Sequence, residues 1–544
     1  MKVQNMDGVM LKNAFIGAAQ YLDKNKEEVD ALNVFPVPDG DTGTNMSLTM
    51  KSAIKQILNL EEYSAGKVAI AASNGSLMGA RGNSGVILSQ LFRGFANGLK
   101  DKESATTLDL ANAFKLASDT AYKAVMKPTE GTILTVARGC AEYGLEIAKG
   151  EDDVIIFLKK IIEHGNYVLD KTPEMLPVLK QAGVVDAGGK GLMCVLIGAY
   201  NAITTGEEIE LEFIEPTLTK DVYIPHDIDT ADIKYGYCTE FIINTSYSDY
   251  EAFREDISVF GDSLMVVGGE GLIKVHIHTN NPGKVLEKAL SIGELNDIKI
   301  DNMRYQHSHI IANKEYIEDK KPKVTNKKYS LITVSIGKGL DTVFKELNVD
   351  YIIPGGQTMN PSTEDLLKAI DEVEGENIII LPNNGNIILA AEQAKELSGR
   401  NVYVFPTKSI PEGISALISF NPDLDVEENL KNMEEAISYV KTAQVTYAVR
   451  DTEIDDIKIK KDDIIGIAGD EILAIGNDVE QVAFELLEKM IDDESSLITI
   501  FYGNGVEEEE AFKLSKKFEE KFEDFDVEVI FGGQPLYYYI FSIE

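Results

Sequence analysis

The sequence predicts a multidomain protein in which an all-α domain is followed by an α/β middle domain and a two-lobed α/β domain. Three patterns along the 544 residues indicate this order. Apolar residues recur at helical spacing from Met1 to about Thr205, and alternating strands mix with short helices from about Val222 to Lys314. Strands then alternate with helices from about Tyr329. Because a domain usually has ~100–200 residues, we predict domains at residues 1–205, 220–314 and 328–544.

The chain is strongly acidic, with 90 Asp and Glu residues against 52 Lys and Arg residues and a formal net charge of -38. Such a field repels nucleic acid and anionic membrane surfaces, so neither is expected as a partner. A phosphate-bearing ligand would need local metal ions and backbone N–H groups instead. Solubility is the simpler explanation for most of the charge.

Cysteine content and the N-terminal segment predict a cytoplasmic protein. Cys140, Cys194 and Cys238 are too few and too scattered for a disulfide framework, which favours a reducing compartment. The first segment lacks the basic and then apolar pattern of a signal peptide and is typical of an amphipathic helix. No apolar run approaches the ~20 residues of a membrane span, so no integral membrane segment is expected.

A loop rich in proline and aspartate, N-V-F-P-V-P-D-G-D-T-G-T-N-M, occupies residues 33–46 of the helical domain. Taken alone, P-D-G-D is typical of a turn. The loop does not match an EF-hand, because Gly43 and Met50 stand where that motif needs oxygen ligands. Asp39 and Asp41 remain, with polar oxygens nearby. Two carboxylates in a stiff loop that opens a helix suit a hard cation such as Mg²⁺.

Three further glycine-containing motifs interrupt the helices of the first domain. G-A-R-G-N-S-G at residues 79–85 is neither a P-loop nor a dinucleotide fingerprint, and close helix packing explains it as well as phosphate binding does. P-T-E-G-T-I-L-T-V at residues 128–136 and Q-A-G-V-V-D-A-G-G-K-G at residues 181–191 are not specific alone. Glycine lowers helix stability by roughly 1 kcal/mol per residue, so a domain that gathers so many at helix ends is expected to use them.

Together these four motifs resemble the ATP-binding subunit of dihydroxyacetone kinases. The chain is more closely similar to the catalytic subunit of bacterial two-component fatty-acid kinase. That similarity extends to I-K-I-D-N-M-R-Y-Q-H in the middle domain and to G-G-Q-T-M-N-P-S-T and G-G-Q-P-L-Y near the C-terminal end. The resemblance implies a helical-barrel nucleotide site that binds ATP and two Mg²⁺ ions.

The resemblance also implies roles for individual residues. Asp39 and Asp41 would bind the two Mg²⁺ ions, with Asn33 as the nearest counterpart of a third aspartate. Other residues would bind the nucleotide or its phosphates: Thr44, Asn45, Gly82, Asn83, Ser84, Gly85, Thr132 and Asp186. Arg81 and Arg138 lie close to the motifs and are candidates for contact with the transferred phosphoryl group.

The middle domain contains one cysteine and two histidines in strand-like segments, Y-G-Y-C-T-E-F and K-V-H-I-H-T-N. Alternation within a strand puts His276 and His278 on one face. With Cys238 they could hold Zn²⁺ and leave one position open or water-filled, or they could be buried polar residues. The resemblance favours zinc and implies that this domain mediates formation of a homodimer. His307 and His309 are further candidate ligands or bystanders.

The last domain carries a weak internal repeat. L-I-T-V-S-I-G-K-G-L followed by V-D-Y-I-I-P-G-G-Q matches L-I-T-I-F-Y-G-N-G-V followed by V-E-V-I-F-G-G-Q. In each copy a strand ends in G-x-G, a helix follows, and the next strand ends in G-G-Q, which predicts two related halves. Glycines after such strands serve either ligand binding or tight turns. The resemblance implies that this domain docks a separate fatty-acid-binding protein.

The sequence leaves three functions open. The first is an ATP-dependent kinase that phosphorylates the carboxylate of a fatty acid held by a separate binding protein, giving an acyl phosphate. Such a carboxylate, with a pKa near ~4.3, is ionised at neutral pH and needs no general base. The second is a dihydroxyacetone-like kinase acting on a small polyol or ketose. The third is a nucleotide-sensing scaffold without enzymatic activity.

Overall fold

The computed structural model describes residues 2–33, 40–125, 127–204, 237–245, 247, 250–269, 272–302, 327–356, 359–454, 457–469, 471–492, 495–522 and 525–544. The chain forms two compact units. One combines Met1–Glu215 with Thr325–Glu544, and the other is Pro216–Val324. The first unit thus holds the segments predicted as first and third domains, and the three domain boundaries themselves stay predictions.

The N-terminal segment is helical, as the periodicity predicts. Its helices are α1 Gly8–Asp30, α2 Thr42–Leu58, α3 Ala65–Met78, α4 Gly82–Leu99, α5 Thr107–Ala124, α6 Ile133–Ile147, α7 Val154–Asp170, α8 Thr172–Met175, α9 Pro177–Ala182 and α10 Ala187–Thr204. A two-residue antiparallel ladder joins β1 Met6–Asp7 to β2 Ser104–Ala105. Helix starts follow local capping chemistry: Thr106 and Asp109 form a capping box on α5, and Asp153 caps α7.

The apolar stripes of these helices meet in one core. Leu22, Met46, Met50 and Phe157 are fully buried in it. Each fully buried side chain of this size contributes roughly 1.5–3 kcal/mol relative to exposure. In the described part of the chain, no helix combines the length and apolar character that a membrane crossing requires.

The middle unit is an α/β domain. Its elements are β3 Tyr237–Asn244, α11 Tyr250–Ser258, β4 Gly261–Gly269, β5 Leu272–Thr279, α12 Pro282–Leu290 and β6 Glu294–Asn302. The four strands form an antiparallel sheet in the order β4-β5-β3-β6. Buried residues such as Phe241, Phe253, Val275 and Val285 bring the sheet and its helices together. The sequence near Pro216 and the charged segment at residues 318–328 are typical of linkers, and both stretches lie largely outside the described residues.

The first lobe of the C-terminal segment is a four-stranded parallel sheet in the order β10-β9-β7-β8. Its central strands, β7 and β9, are almost wholly buried because helices cover the sheet. Its elements are β7 Tyr329–Ser335, α13 Lys338–Glu346, β8 Tyr351–Pro354, α14 Thr363–Glu372, β9 Asn377–Leu381, α15 Ile388–Ser398, β10 Asn401–Val404, α16 Ile410–Ser419 and α17 Val426–Ser438.

The second lobe is a mixed six-stranded sheet in the order β15-β14-β11-β18-β16-β17. Its elements are β11 Lys441–Tyr447, β12 Thr452–Ile454, β13 Ile457–Ile459, β14 Ile464–Ala468, β15 Glu471–Gly476, α18 Val479–Met490, β16 Leu497–Tyr502, α19 Glu508–Lys521, β17 Asp526–Phe531 and β18 Tyr539–Ile543. Strands β12 and β13 form a separate hairpin. The predicted multidomain order, helical and then α/β in two further parts, is confirmed.

The internal repeat corresponds to two βαβ units, β7-α13-β8 and β16-α19-β17, each with a parallel strand pair. The glycines of the two copies pack against each other. The N–H groups of Gly339 and Leu340 donate to the carbonyl of Gly532 at 3.1 and 3.0 Å. A Cβ on Gly337, whose φ is +136°, would lie 2.5 Å from that same oxygen. These glycines therefore permit close backbone contact between the two copies.

Candidate functional site

A cleft of about 390 Å³ opens among the helices of the N-terminal segment. Seven of the residues predicted for nucleotide or metal binding line it: Asn33, Asp41, Asn45, Asn83, Ser84, Thr132 and Asp186. Thr44, Gly82 and Gly85 lie near it without lining it, and Asp39 lies outside the described residues. Motifs from four separate parts of the helical segment thus meet in one place.

Four helices begin at this cleft. The N-terminal ends of α2, α4, α6 and α10 contribute Thr42, Asn83, Ile133 and Ala187 to its wall. A helix N-terminus carries unsatisfied N–H groups and the positive end of the helix dipole, so several of them together favour an anion. Neither Lys nor Arg occurs among the described residues that line the cleft. Attraction for a phosphate therefore comes from backbone dipoles and any bound cation.

Asp30, at the end of α1, holds the start of α2 through hydrogen bonds, and the sequence patterns did not single it out. Asp30 Oδ1 accepts the N–H groups of Gly43 and Thr44 at 2.6 and 3.2 Å, and its Oδ2 accepts the Thr44 hydroxyl at 2.7 Å. Burial raises the pKa of the Asp30 carboxyl. The Thr44 side chain is thus engaged with Asp30, and the carboxylate that α2 presents to the cleft is Asp41, its N-cap residue.

The start of α4 has no side-chain cap from its N-cap residue, Arg81. Gly82 follows with a φ of +57°, and a Cβ there would lie 2.4 Å from Asn45 Nδ2. Gly85 faces α2 instead, where a Cβ would lie 2.4 Å from the hydroxyl oxygen of Thr49. Gly82 is therefore needed for the turn into the helix and Gly85 for close helix packing. An uncapped helix start at a cleft is a favourable phosphate position.

The starts of α6 and α10 meet around Asp186. Gly189 N–H donates to Asp186 Oδ2 at 2.6 Å, and the Asp186 N–H donates to the hydroxyl of Thr172 at 3.1 Å. Burial raises the pKa of Asp186 to about 6, against the backbone hydrogen bonds from Gly189 and Ile133, which lower it. Thr132, the N-cap residue of α6, donates its hydroxyl to the carbonyl of Thr129 at 2.8 Å.

The C-terminal segment also reaches this cleft. Asn360 Nδ2 donates to Asp41 Oδ2 at 2.5 Å, and Asn83 Nδ2 donates to Asn386 Oδ1 at 3.3 Å. Asn386 itself lines the cleft. Arg450 Nη2 donates to the carbonyl of Asn33 at 2.6 Å. Asn360 lies in the G-G-Q-T-M-N-P-S-T motif, but neither that motif nor helical periodicity connects Asn360, Asn386 or Arg450 with the cleft, because their partners lie in a distant part of the sequence.

The two candidate arginines are both held by acidic partners away from the cleft wall. Arg81 donates to the carbonyl of Asn360 at 2.7 Å and lies 3.5 Å from Asp365. Arg138 forms a two-point ion pair with Glu130, at 2.8 and 2.6 Å. Thr135 also donates to Glu130, so the P-T-E-G-T motif builds a local network that fixes the loop before α6.

The candidate metal ligands lie in two separate places. Within the described ranges, no three His, Cys, Asp or Glu side chains gather as a metal site. Asp41 and Asn33 offer side-chain oxygen atoms at the cleft as possible metal ligands. Asn33 Oδ1 also accepts a hydrogen bond from the Thr42 hydroxyl at 3.0 Å. In the middle unit the strand register sets Cys238 opposite His278. The side chains of Cys238, His276 and His278 lie outside the described part, so zinc stays a prediction.

Comparison with known families divides the chain into three matched parts. Residues 330–544 match the C-terminal domain of the FakA-like fatty acid kinase family, and residues 234–310 match the middle domain of the same family. Residues 36–201 match the DAK2 domain. The three matches follow one another in the order of the observed elements.

The chain matches bacterial relatives over their entire length. "Protein YloV" of Bacillus subtilis (strain 168) is 45% identical over 554 residues, and "Uncharacterized protein SAR1202" of Staphylococcus aureus (strain MRSA252) is 44% identical over 550 residues. Both alignments cover 100% of this chain and of the relative. The dihydroxyacetone kinase from C. freundii, in complex with AMP-PNP and Mg²⁺, superposes with a TM-score of 0.31 and 15% identity over 41% of this chain and 49% of that chain.

Proposed function

The chain belongs to the FakA-like fatty acid kinase family, and from this premise we propose that it is an ATP-dependent kinase. It transfers the terminal phosphoryl group of ATP to the carboxylate of a fatty acid, which a separate fatty-acid-binding protein presents. The products are an acyl phosphate and ADP. The observation that carries the proposal is the convergence of four helix N-termini on a cleft that contains the Asp41 carboxylate.

The phosphates of ATP lie at the start of α4 in this proposal. Asn83 and Ser84 line the cleft there, and the N-cap residue supplies no side-chain hydrogen bond to the helix. The first backbone N–H groups of α2 and α10 are partly occupied, because some of them donate to the carboxylates of Asp30 and Asp186. The first N–H groups of α4 are therefore the best placed for phosphate oxygens. Thr132 and Asp186 lie at the starts of α6 and α10, and we propose that they contact the part of the nucleotide other than its phosphates.

Mg²⁺ fits the donors of this cleft, because Asp41 and Asn33 offer the hard oxygen ligands that it prefers. We propose that Asp39 and Asp41 hold two ions, with Asn33 beside them. When bound, Mg²⁺ neutralises charge on the phosphates and orients them for in-line transfer. The chain itself fixes the Asp41 carboxylate in place at the start of α2 and keeps basic side chains out of the described cleft wall.

A carboxylate acceptor suits this cleft because it needs no deprotonation before it attacks phosphorus. One observation favours the alternative, a kinase for a small polyol or ketose. The pKa of Asp186 is raised to about 6, which would let its carboxylate accept a proton from a hydroxyl group near neutral pH. The matched family is one component of a fatty acid kinase, which supports a fatty acid as substrate and a second protein as partner.

We also propose roles for the other two parts of the chain. The C-terminal segment docks the fatty-acid-binding partner, and the middle domain mediates a homodimer and holds a structural Zn²⁺ with Cys238, His276 and His278. The backbone register that sets Cys238 opposite His278 supports the zinc proposal.

ADP release in the presence of Mg²⁺ tests the proposal, with a fatty acid loaded on its binding protein or with a triose as acceptor. We expect turnover only with the loaded protein and its loss in Asp41→Asn. Asp425→Asn is the matched control, because Asp425 is also a helix N-cap aspartate but lies at the start of α17, in the C-terminal segment. Turnover with the triose alone would favour the polyol kinase, and nucleotide binding without turnover on either acceptor would favour the scaffold.

A further inference from the structure

Asn360 belongs to the C-terminal segment but touches the proposed metal ligand of the helical cleft. It follows β8 in the motif G-G-Q-T-M-N-P, and it is almost completely buried, with 1% exposure. Its Nδ2 donates to Asp41 Oδ2 at 2.5 Å. A hydrogen bond to a charged acceptor is shorter and stronger than one between neutral groups, so it restricts how the Asp41 carboxylate can rotate.

The backbone around Asn360 is fixed to the start of α4. Arg81 Nη1 donates to the Asn360 carbonyl at 2.7 Å, and Arg81 forms an isolated antiparallel bridge with Ser362. Thr363 N–H donates to the carbonyl of Ala80 at 3.1 Å. Ala80 is also buried in the same apolar cluster as residues of β7 and α14 of the C-terminal segment. The backbone at Asn360 is therefore held by the helix start that we assign to phosphate binding.

The other end of the Asn360 amide has no partner. Its Oδ1 is buried and accepts no hydrogen bond. Leaving a buried acceptor unsatisfied costs about 1–3 kcal/mol, which structures rarely tolerate without a compensating group. Asn83 Oδ1, from a residue of the cleft wall, is likewise buried and unsatisfied. Water molecules bound to a cation at Asp41 would be suitable hydrogen-bond donors for such acceptors.

We propose that Asn360 is a positioning residue for Asp41, so that the C-terminal segment completes the metal site of the helical cleft. The inference rests on the proposed function, because it assumes that Asp41 holds a metal ion. Hydrogen-bond partners of ligating carboxylates typically contribute about 10–100-fold to metal affinity. The Asn360 amide orients the Asp41 carboxylate through its hydrogen bond to Oδ2. Docking of the C-terminal segment and binding of metal and nucleotide then reinforce each other.

Mn²⁺ is the probe for this proposal, with the full-length chain and a non-hydrolysable ATP analogue. Free Mn²⁺ is measured by electron paramagnetic resonance, so the readout does not require turnover. We expect Asn360→Ala to lower Mn²⁺ affinity by about 10–100-fold, and Asn360→Ser, whose hydroxyl is too short to reach Asp41, to do the same. Asn429→Ala is the control, because Asn429 is a fully buried asparagine of α17 whose side chain donates to Asn421 and Asp425 within the C-terminal segment.

The outcomes separate this inference from the proposed function. If Asp41→Asn abolishes Mn²⁺ binding while both Asn360 variants bind as the native chain does, the positioning role is wrong and the metal site stands. If the Asn360 variants bind Mn²⁺ more tightly, the amide obstructs the site and the inference is overturned. If Asp41→Asn leaves Mn²⁺ affinity unchanged, the proposed metal site fails and the inference fails with it. A loss in both Asn360 variants, with native affinity in Asn429→Ala, supports it.

Discussion

Gly82 at the start of α4 allows the phosphate-binding assignment to be tested by one added methyl group. Its φ of +57° lies in the left-handed region, where alanine costs about 1–2 kcal/mol relative to glycine. A Cβ at this position would lie 2.4 Å from Asn45 Nδ2 and 3.1 Å from Asn360 Nδ2. Both asparagines are buried, at 3% and 1% exposure, so neither can move aside freely. Overpacking of this kind typically adds a cost of about 1–3 kcal/mol.

Gly399 provides the matched control for Gly82→Ala. It has a φ of +63° after α15, and a Cβ there meets nothing within 4 Å. Gly399→Ala therefore carries the left-handed backbone cost of about 1–2 kcal/mol without the steric contact. We expect Gly82→Ala to lose about 1–3 kcal/mol more than the control in urea unfolding.

Nucleotide binding gives the decisive comparison between these two variants. We expect isothermal titration with an ATP analogue and Mg²⁺ to show roughly a tenfold or greater loss of affinity in Gly82→Ala, because the added methyl group displaces the start of α4. Gly399→Ala should bind as the native chain does. The reasoning would be refuted if Gly82→Ala lost stability as expected yet bound the nucleotide with native affinity, because the start of α4 would then not contact the phosphates.

Three further predictions concern single side chains. The pKa of Asp186 is raised from 3.8 to about 6 in the folded chain, so its contribution to stability is present below pH 4 and falls by about 3 kcal/mol as the pH rises through 6. The melting temperature of Asp186→Asn should lack this fall. Equal pH profiles of the melting temperature in the native chain and the variant would contradict the prediction. Thr44→Val should lower the free energy of unfolding by about 1.5–3 kcal/mol, because the Thr44 hydroxyl donates to the Asp30 carboxylate. The variant should change nucleotide affinity less than stability. A loss of nucleotide affinity without a loss of stability would indicate that Thr44 contacts the phosphates. Elemental analysis of chelator-washed protein should find zinc in the native chain and less in Cys238→Ser, and native protein without zinc would leave these residues as strand packing only.

The fold was largely predictable because its signals are local. Helical periodicity marks α2 and α7, and alternation marks β3 and β5, at the places where the structure has them. The repeat L-I-T-V and L-I-T-I marks two matching βαβ units. What the pattern left open was the use of the repeat's glycines. Their role in packing one copy against the other depends on tertiary contacts, such as that between Gly339 and Gly532, which carry no local signal.

The candidate site likewise combines residues that local sequence signals mark with residues that they do not. Residues at helix starts, such as Asp41 and Asp186, are marked by the turn and glycine chemistry that opens each helix. Asp30 stands at the end of α1 and looks like any surface acid in the sequence, although it holds the start of α2. Asn360 and Asn386 approach the cleft only because the C-terminal segment packs on α4, and no spacing rule connects residues so far apart in the sequence.

The direct test of the central claim is to trap the product. Hydroxylamine converts an acyl phosphate into a stable acyl hydroxamate, which mass spectrometry identifies by its acyl chain. With ATP, Mg²⁺ and a fatty-acid-loaded binding protein, we expect the native chain to give the hydroxamate of the loaded fatty acid in proportion to ADP, and Asp41→Asn to give none. Release of ADP without hydroxamate would mean that the carboxylate is not the acceptor, and would contradict the proposed fatty-acid kinase.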